Sequence, residues 1–195
     1  MSAANNPQPL GASGATSTPS WGVGGSIPCS QVNLHHCVAA ATQCGERVTT
    51  GLRNGMDDNG NNNLNNMETE IKRIILVQEP YLQNNKVKFF HDCNVYASNS
   101  DENWSCIITH KSIKGFMLNQ FCNKHQTAIV VKHKNKDIIY CSVYMPGEPA
   151  GPPPSRLMID LVEYARTSNM SLVLSADANS HHEVWGSTDT NPRGE

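Results

Sequence analysis

Two acidic side chains stand where layered α/β proteins commonly build chemistry. Glu79 follows the apolar run "IILVQ" and Asp177 follows "SLVLSA", so each lies at the exit of a buried strand, the edge outside which such sheets collect their sites. Asp177 and Asn179 are two residues apart, and in extended chain their side chains project to one side, able to share one anion or ion. The competing reading of Asp-x-Asn is a strand-ending turn in which both side chains hydrogen-bond nearby backbone. Oxygen donors of this type, Glu79 and Asp177 with the amides of Asn33 and Asn179, suit a hard cation such as Mg2+, which takes carboxylates, waters and substrate phosphate. Such a cation would act on phosphate esters, neutralising charge on the attacked phosphate together with amide and phenol donors. A base to prepare the attacking water is harder to find.

His181 and His182 raise the question of zinc, yet adjacent histidines diverge and no Cys or His at ligand spacing completes a set. "LHHC" at Leu34 to Cys37 has the same deficiency and reads as a partly exposed helix start. Tyr144, in "SVYMP", is at a strand exit before proline; a half-buried strand tyrosine and a site donor are both open readings. Trp185 is a packing residue or an aromatic surface beside the site.

The elements that must position these residues follow from pattern. "SQVNLHHCVAAATQCGERV" begins in alternation and becomes helix-like, with Leu34, Val38 and Ala41 on one predicted face. "IKRIILVQEPY" holds a continuous apolar run, Ile74 to Val77, expected of a strand covered on both faces. "NVYAS", "SCIITH", "TAIVVK" and "IIYCSVYMP" are further strands, the last two joined at "HKNKD" by a hairpin turn. "GPPPSRLMIDLVEYARTS" predicts a helix started at Ser155, with Leu157, Leu161, Val162 and Ala165 on one face. "SLVLSADAN" is the next strand. Strands alternating with helices and hairpins indicate an α/β domain with mixed sheets.

The chain has 195 residues, 38% of them apolar, room for one domain. Its net charge of −2 removes whole-chain basicity as a footprint on nucleic acid, so any such partner is engaged locally. Seven cysteines, an odd number without a CxxC pair, read as free thiols in a reducing, intracellular compartment. No signal-like start and no run near the ~18 apolar residues of a membrane span is present, so no membrane partner is expected. Residues 1–29, rich in Gly, Pro, Ser, Ala and Asn, are expected to be a disordered leader, and the asparagine-rich 49–67 a loop insertion.

Taken in order, "QVNLHHCVAA", "ILVQEPY", "IIYCSVYMP" and "SADANSHHEVWGSTDTNPRGE" resemble the endonuclease/exonuclease/phosphatase superfamily, and within it the apurinic-type endonuclease domain of non-LTR retrotransposons. The resemblance spans residues 30–195, and its most specific part is the HH-x-x-WGS and N-x-RGE continuation. It implies a DNase I-like fold, a four-layer α/β sandwich of two mixed β-sheets. It also implies Mg2+-dependent nicking of target-site DNA, with Mn2+ able to replace Mg2+, in the nucleus and with a reverse transcriptase domain in the same parent polyprotein. By the resemblance Asn33 is the early active-site asparagine and Glu79 the metal-binding glutamate, with Asn33 at the metal beside it. Tyr144 hydrogen-bonds the scissile phosphate, Asp177 orients or activates water, and Asn179 holds phosphate. Asn191, Arg193 and His181 are assigned to the DNA side.

Ser175 and Ala176 stand where many members carry glycine, and the asparagine-rich stretch looks inserted. Members continue past the RGE segment into further strands and a Ser-Asp-His element, so the domain is expected to be incomplete at its C-terminus and its activity impaired. Two other readings remain at this stage: a phosphomonoesterase of the same superfamily, and a non-catalytic remnant with at most residual nucleic-acid binding.

Overall fold

A computed structural model describes residues 26–49, 72–147 and 153–195. The expected leader and the asparagine-rich stretch lie almost wholly outside these residues, although Cys29, assigned to the leader, already belongs to the first strand.

Two mixed sheets organise the described chain. The first has the order β1 (Cys29–Asn33), β2 (Ile74–Gln78), β6 (Ser105–His110), β5 (Cys93–Tyr96), with β1 parallel to β2 and the other pairings antiparallel. The second runs β10 (Ser171–Asp177), β9 (Lys136–Tyr144), β8 (Gln126–His133), β7 (Gly115–Met117), with β10 parallel to β9 and the rest antiparallel. A short hairpin, β3 (Leu82–Gln83) and β4 (Lys86–Val87), stands apart. Each sheet therefore carries one parallel pair, and in both pairs the carboxyl ends are in register: Asn33 beside Gln78, Asp177 beside Tyr144.

Local sequence accounts for most of these elements. Every residue of β2 is buried, as a β-branched run covered on both faces requires. The β8–β9 hairpin turns at Lys134 and Asn135, both in the left-handed region (φ 47° and 64°), as a two-residue turn matched to strand twist demands. Helix α2 (Arg156–Thr167) starts where expected, the Ser155 hydroxyl accepting from the Met158 amide at 3.2 Å. Its buried face is Leu161 and Ala165, with Leu157 packed against them; Val162 is 46% exposed, because one residue of helix rotates it about 100° away from Leu161. Helix α1 (Val38–Thr49) departs similarly from expectation. Leu34 is buried but precedes the helix, Val38 is 45% exposed, and the inward face is Ala41, Cys44 and Val48.

The core falls into three clusters. Between the sheets, Ile74, Leu76 and Ile107 meet Ile129, Val131 and Tyr140. On the other face of the first sheet, Ile75, Val77, Cys106 and Ile108 pack with Leu34 and the inward face of α1. On the second sheet, Ala128, Ile139, Cys141 and Val143 pack with Leu161 and Ala165 of α2. Each fully buried isoleucine or leucine is worth about 1.5–3 kcal/mol. A Cβ at Gly45 would overlap the Phe89 carbonyl, so α1 approaches that loop at backbone distance.

All seven cysteines are free. Burial pushes the thiol of Cys93 up to about 11 and also raises Cys44, Cys106, Cys122 and Cys141, which keeps them protonated at neutral pH. No helix among the described residues is long and apolar enough to cross a membrane.

Candidate active site at the paired strand ends

The two parallel pairs end at one rim, and one side chain joins them. Asn33, the last residue of β1, presents its amide nitrogen to the Glu79 carboxylate at 3.2 Å and to the Asp177 carboxylate at 2.6 Å. The two acids, far apart in sequence and on different sheets, thus lie no farther apart than those two distances combined. The Asn33 amide orientation is doubly determined, because carboxylates accept only from its NH2, while its carbonyl oxygen accepts from the His35 amide at 2.8 Å.

Below the rim a polar seam fastens the sheets. Fully buried Gln78 donates to the Ser142 hydroxyl at 2.9 Å and the Ser175 hydroxyl at 3.3 Å, and accepts from Gln31 at 3.3 Å. Ser142 in turn donates to the Val77 carbonyl at 2.8 Å. Gln31 also reaches the Ala176 carbonyl at 3.4 Å. Buried polar groups left unmade are costly, and satisfying Gln78, Ser142 and Ser175 across the interface sets one position of the first sheet against the second, one residue before Glu79 and two before Asp177.

Glu79 adopts a left-handed backbone (φ 48°), uncommon outside glycine and held here from both sides. Its amide donates to the Trp104 carbonyl at 2.9 Å and its carbonyl accepts from the His36 amide at 2.9 Å. Its side chain is only 15% exposed, with His35 Nδ1 at 3.7 Å and His36 Nε2 at 3.9 Å from Oε2. His36 Nδ1 lies 3.0 Å from the Pro80 carbonyl, which can only accept, so Nδ1 carries the proton. The "LHHC" histidines are therefore a turn beside Glu79, ahead of α1.

Asp177 accepts at its second oxygen from the Asn179 amide at 3.1 Å, the local turn that Asp-x-Asn allows. The turn and the convergence with Glu79 coexist, because the two carboxylate oxygens serve different partners. Asn179 (φ 47°) donates from its side chain to the Met145 carbonyl at 2.8 Å. Asn191 donates to the Asn179 carbonyl at 2.8 Å, and Arg193 Nη1 donates to the carbonyls of Met145 and Ala178 at 3.2 and 3.1 Å. These two side chains brace the loop that carries Asn179. His181 stands farther out, 46% exposed and paired with Asp189 at 3.0 Å. Trp185 is 58% exposed, tilted against His182 and donating to the Ser180 carbonyl at 3.3 Å, which makes it an aromatic surface and not a packing residue.

Tyr144 ends β9 half-buried, its ring stacked on Trp104 with centroids 4.9 Å apart. It borders a cavity of about 360 Å3 also lined by His125, Gln126, Pro146, Arg156 and Arg193. Burial, and then the nearby Lys124 ammonium, lower the His125 pKa and favour its neutral form. Sequence reading missed Trp104, His125 and the Gln31–Gln78 seam. Trp104 and His125 sit in no motif, and Gln31 and Gln78, although within two of the quoted segments, are marked only by their partners across the sheets.

For a divalent cation the donor chemistry fits: two partly buried carboxylates at one place, enough for an ion that takes one or two carboxylates and otherwise water. Among the described residues no group of three or more His, Cys, Asp or Glu capable of holding a metal is present.

No family model matches the chain, and no curated protein matches it. Among solved structures it is similar to the endonuclease domain of TRAS1, a telomere-specific non-LTR retrotransposon, with a TM-score of 0.52 and 16% identity. The match covers 84% of this chain and 64% of that chain, so the chain spans under two thirds of that domain's length. At this identity the likeness is one of fold: α/β, with mixed sheets, shared with that endonuclease domain.

Proposed function

We propose that residues 30–195 belong to the endonuclease domain of a non-LTR retrotransposon and that the site hydrolyses phosphodiesters of DNA. The observation that carries this is the meeting of Glu79, Asp177 and Asn33 on one amide nitrogen at the ends of two parallel strand pairs. The fold likeness supports it. The clusters that seat α1 on one sheet and α2 on the other support a four-layer sandwich.

In this reading Glu79 would hold Mg2+ or Mn2+, with Asn33 able to join only through its carbonyl oxygen, which here accepts from the His35 amide, and the ion when bound would neutralise charge on the phosphate under attack. The chain's own residues do the rest. Tyr144 donates its phenol to a phosphate oxygen. Asp177, fixed through both oxygens by Asn33 and the Asn179 amide, orients water toward phosphorus. Asn179 has a second N–H beyond the one given to Met145, and this donates to phosphate. Asn191 and Arg193 support the DNA side by bracing this loop, and His181 extends it. A nuclear place of action and a reverse transcriptase partner in the parent polyprotein accompany this function.

Supercoiled plasmid with Mg2+ tests it. The wild-type chain is expected to convert plasmid to the nicked circle, and Glu79→Ala and Asp177→Ala each to slow this by about a hundredfold or more. Nicking unchanged in both variants would overturn the site. The alternative is a non-catalytic remnant that at most binds nucleic acid: among the described residues the hydrogen-bond partners of the Asp177 side chain are Asn33 and the Asn179 amide, and no histidine is one of them. Salt-dependent DNA binding without Mg2+-dependent nicking would select that reading.

A further inference from the structure

Trp104 lies in "NWSCIITH", a stretch that carries no chemical motif, yet it touches three parts of the site. Its amide donates to the Lys124 carbonyl at 2.7 Å, in the turn that leads into β8 of the second sheet. Its carbonyl accepts from Glu79, at the end of β2 in the first. The indole, half-buried, stacks on Tyr144 at 20° between planes, with centroids 4.9 Å apart, and meets the His36 ring edge-on at 4.9 Å. The Tyr144 hydroxyl has no hydrogen-bond partner among the described residues, and the ring's other aromatic neighbour, His125, is at 6.2 Å. Tyr144 therefore borders an open cavity on one side and is held on the other by the indole.

We infer that Trp104 is a positioning residue that acts through Tyr144, setting the phenol at the rim opposite Glu79. The inference rests on the proposed function, in which that phenol meets the phosphate. Offset stacking of two rings restricts their tilt as well as their separation, and a donor that must meet one oxygen of a reacting phosphate depends on both. The Glu79 link runs through the backbone of residue 104 and survives any side-chain change. Removal of the indole should therefore loosen the phenol, while Glu79 keeps its backbone bonds to residues 104 and 36.

The test compares Trp104→Ala, Trp104→Phe, Tyr144→Phe and the double variant Trp104→Ala/Tyr144→Phe. Readouts are plasmid nicking with Mg2+, thermal unfolding, and 19F NMR of protein labelled with fluorotyrosine. The Tyr144 resonance is the one missing from Tyr144→Phe. Trp104→Ala is expected to lower kcat by about ten- to a hundredfold with KM for DNA little changed. Trp104→Phe, which keeps a ring to stack on, should restore kcat to within about threefold. In the Tyr144→Phe background Trp104→Ala should cost less than about threefold, because a residue that acts through the phenol has little left to position. The Tyr144 resonance should shift in Trp104→Ala and recover partly in Trp104→Phe.

An equal loss in both backgrounds, or a Tyr144 resonance unmoved by Trp104→Ala, would overturn the inference. If Trp104→Ala unfolds early, Trp104→Leu fills the volume without a π face and is read the same way. Failure of the wild-type chain to nick would sink the proposed function alone, and the resonance would still decide the placement of Tyr144.

Discussion

The two parallel strand pairs deliver the site from opposite sheets, and they are built differently. β2, which carries Glu79, is buried at every residue and flanked on both sides by paired strands. β10, which carries Asp177, is an edge strand with alternating exposure, buried fully only at Ser175. Glu79 therefore inherits the rigidity of the core, and its left-handed backbone is held by Trp104, just ahead of β6, and the histidine turn. Asp177 and Asn179 depend instead on a local web of Asn191, Arg193 and backbone carbonyls. One carboxylate is set by the fold as a whole and the other, apart from its bond to Asn33, by its immediate loop, so damage to the first should be global and damage to the second local.

The largest effect should come from breaking the seam that couples the halves. Gln78→Ala removes a fully buried amide, takes from the Ser175 hydroxyl its side-chain donor and leaves Ser142 only its bond to the Val77 carbonyl; a loss of about 3 kcal/mol in denaturant unfolding is expected. A loss below about 1 kcal/mol would show that the sheets are held by apolar packing alone. Gly45→Ala, which drives a methyl into the Phe89 carbonyl on the β1–β2 side, should cost about 1–3 kcal/mol and lower the global melting temperature. On the other side Asn191→Ala removes bonds to Asn179, His181 and Gly194. About 1 kcal/mol should be lost locally, seen as faster amide hydrogen exchange at His181 and Gly194 with the global melting temperature nearly unchanged. A global drop as large as that of Gly45→Ala would erase the contrast between the halves.

The smallest expected effect is pH-dependent. Burial holds the folded His125 pKa below its ordinary 6.5, so as pH falls through that value the unfolded chain binds a proton before the folded one does. Stability from this group is complete above the unfolded pKa and declines as the pH drops toward the folded one. Wild type should accordingly lose stability relative to His125→Asn on acidification, and a difference constant from pH 7 to 5 would argue against the burial of this imidazole.

Strand existence was legible where pattern was strong. The apolar run before Glu79, the hairpin at Lys134–Asn135 and the Ser155 cap all follow short-range rules, and the structure keeps them. The helix faces were less legible: Val38 and Val162 are apolar and near the right spacing, yet both face solvent, because the surrounding sheets set the helix rotation and leave room for only some of the candidates. β3, β4 and β7, of two or three residues each, are too short to show a period. Trp104 had no local signal at all, since its meaning lies in Tyr144, His36 and Glu79, all distant along the chain.

By itself the sequence determined that Glu79, Tyr144 and Asp177 end strands, because alternation, apolar runs and turn residues act over a few neighbours. Only the tertiary structure decided that these ends share one rim, that Asn33 bridges two acids although Asp177 lies 144 positions further along the chain, and that a tryptophan outside every motif braces the phenol. Which strand ends meet depends on sheet pairing and face-to-face packing between remote segments, and no local pattern encodes that choice.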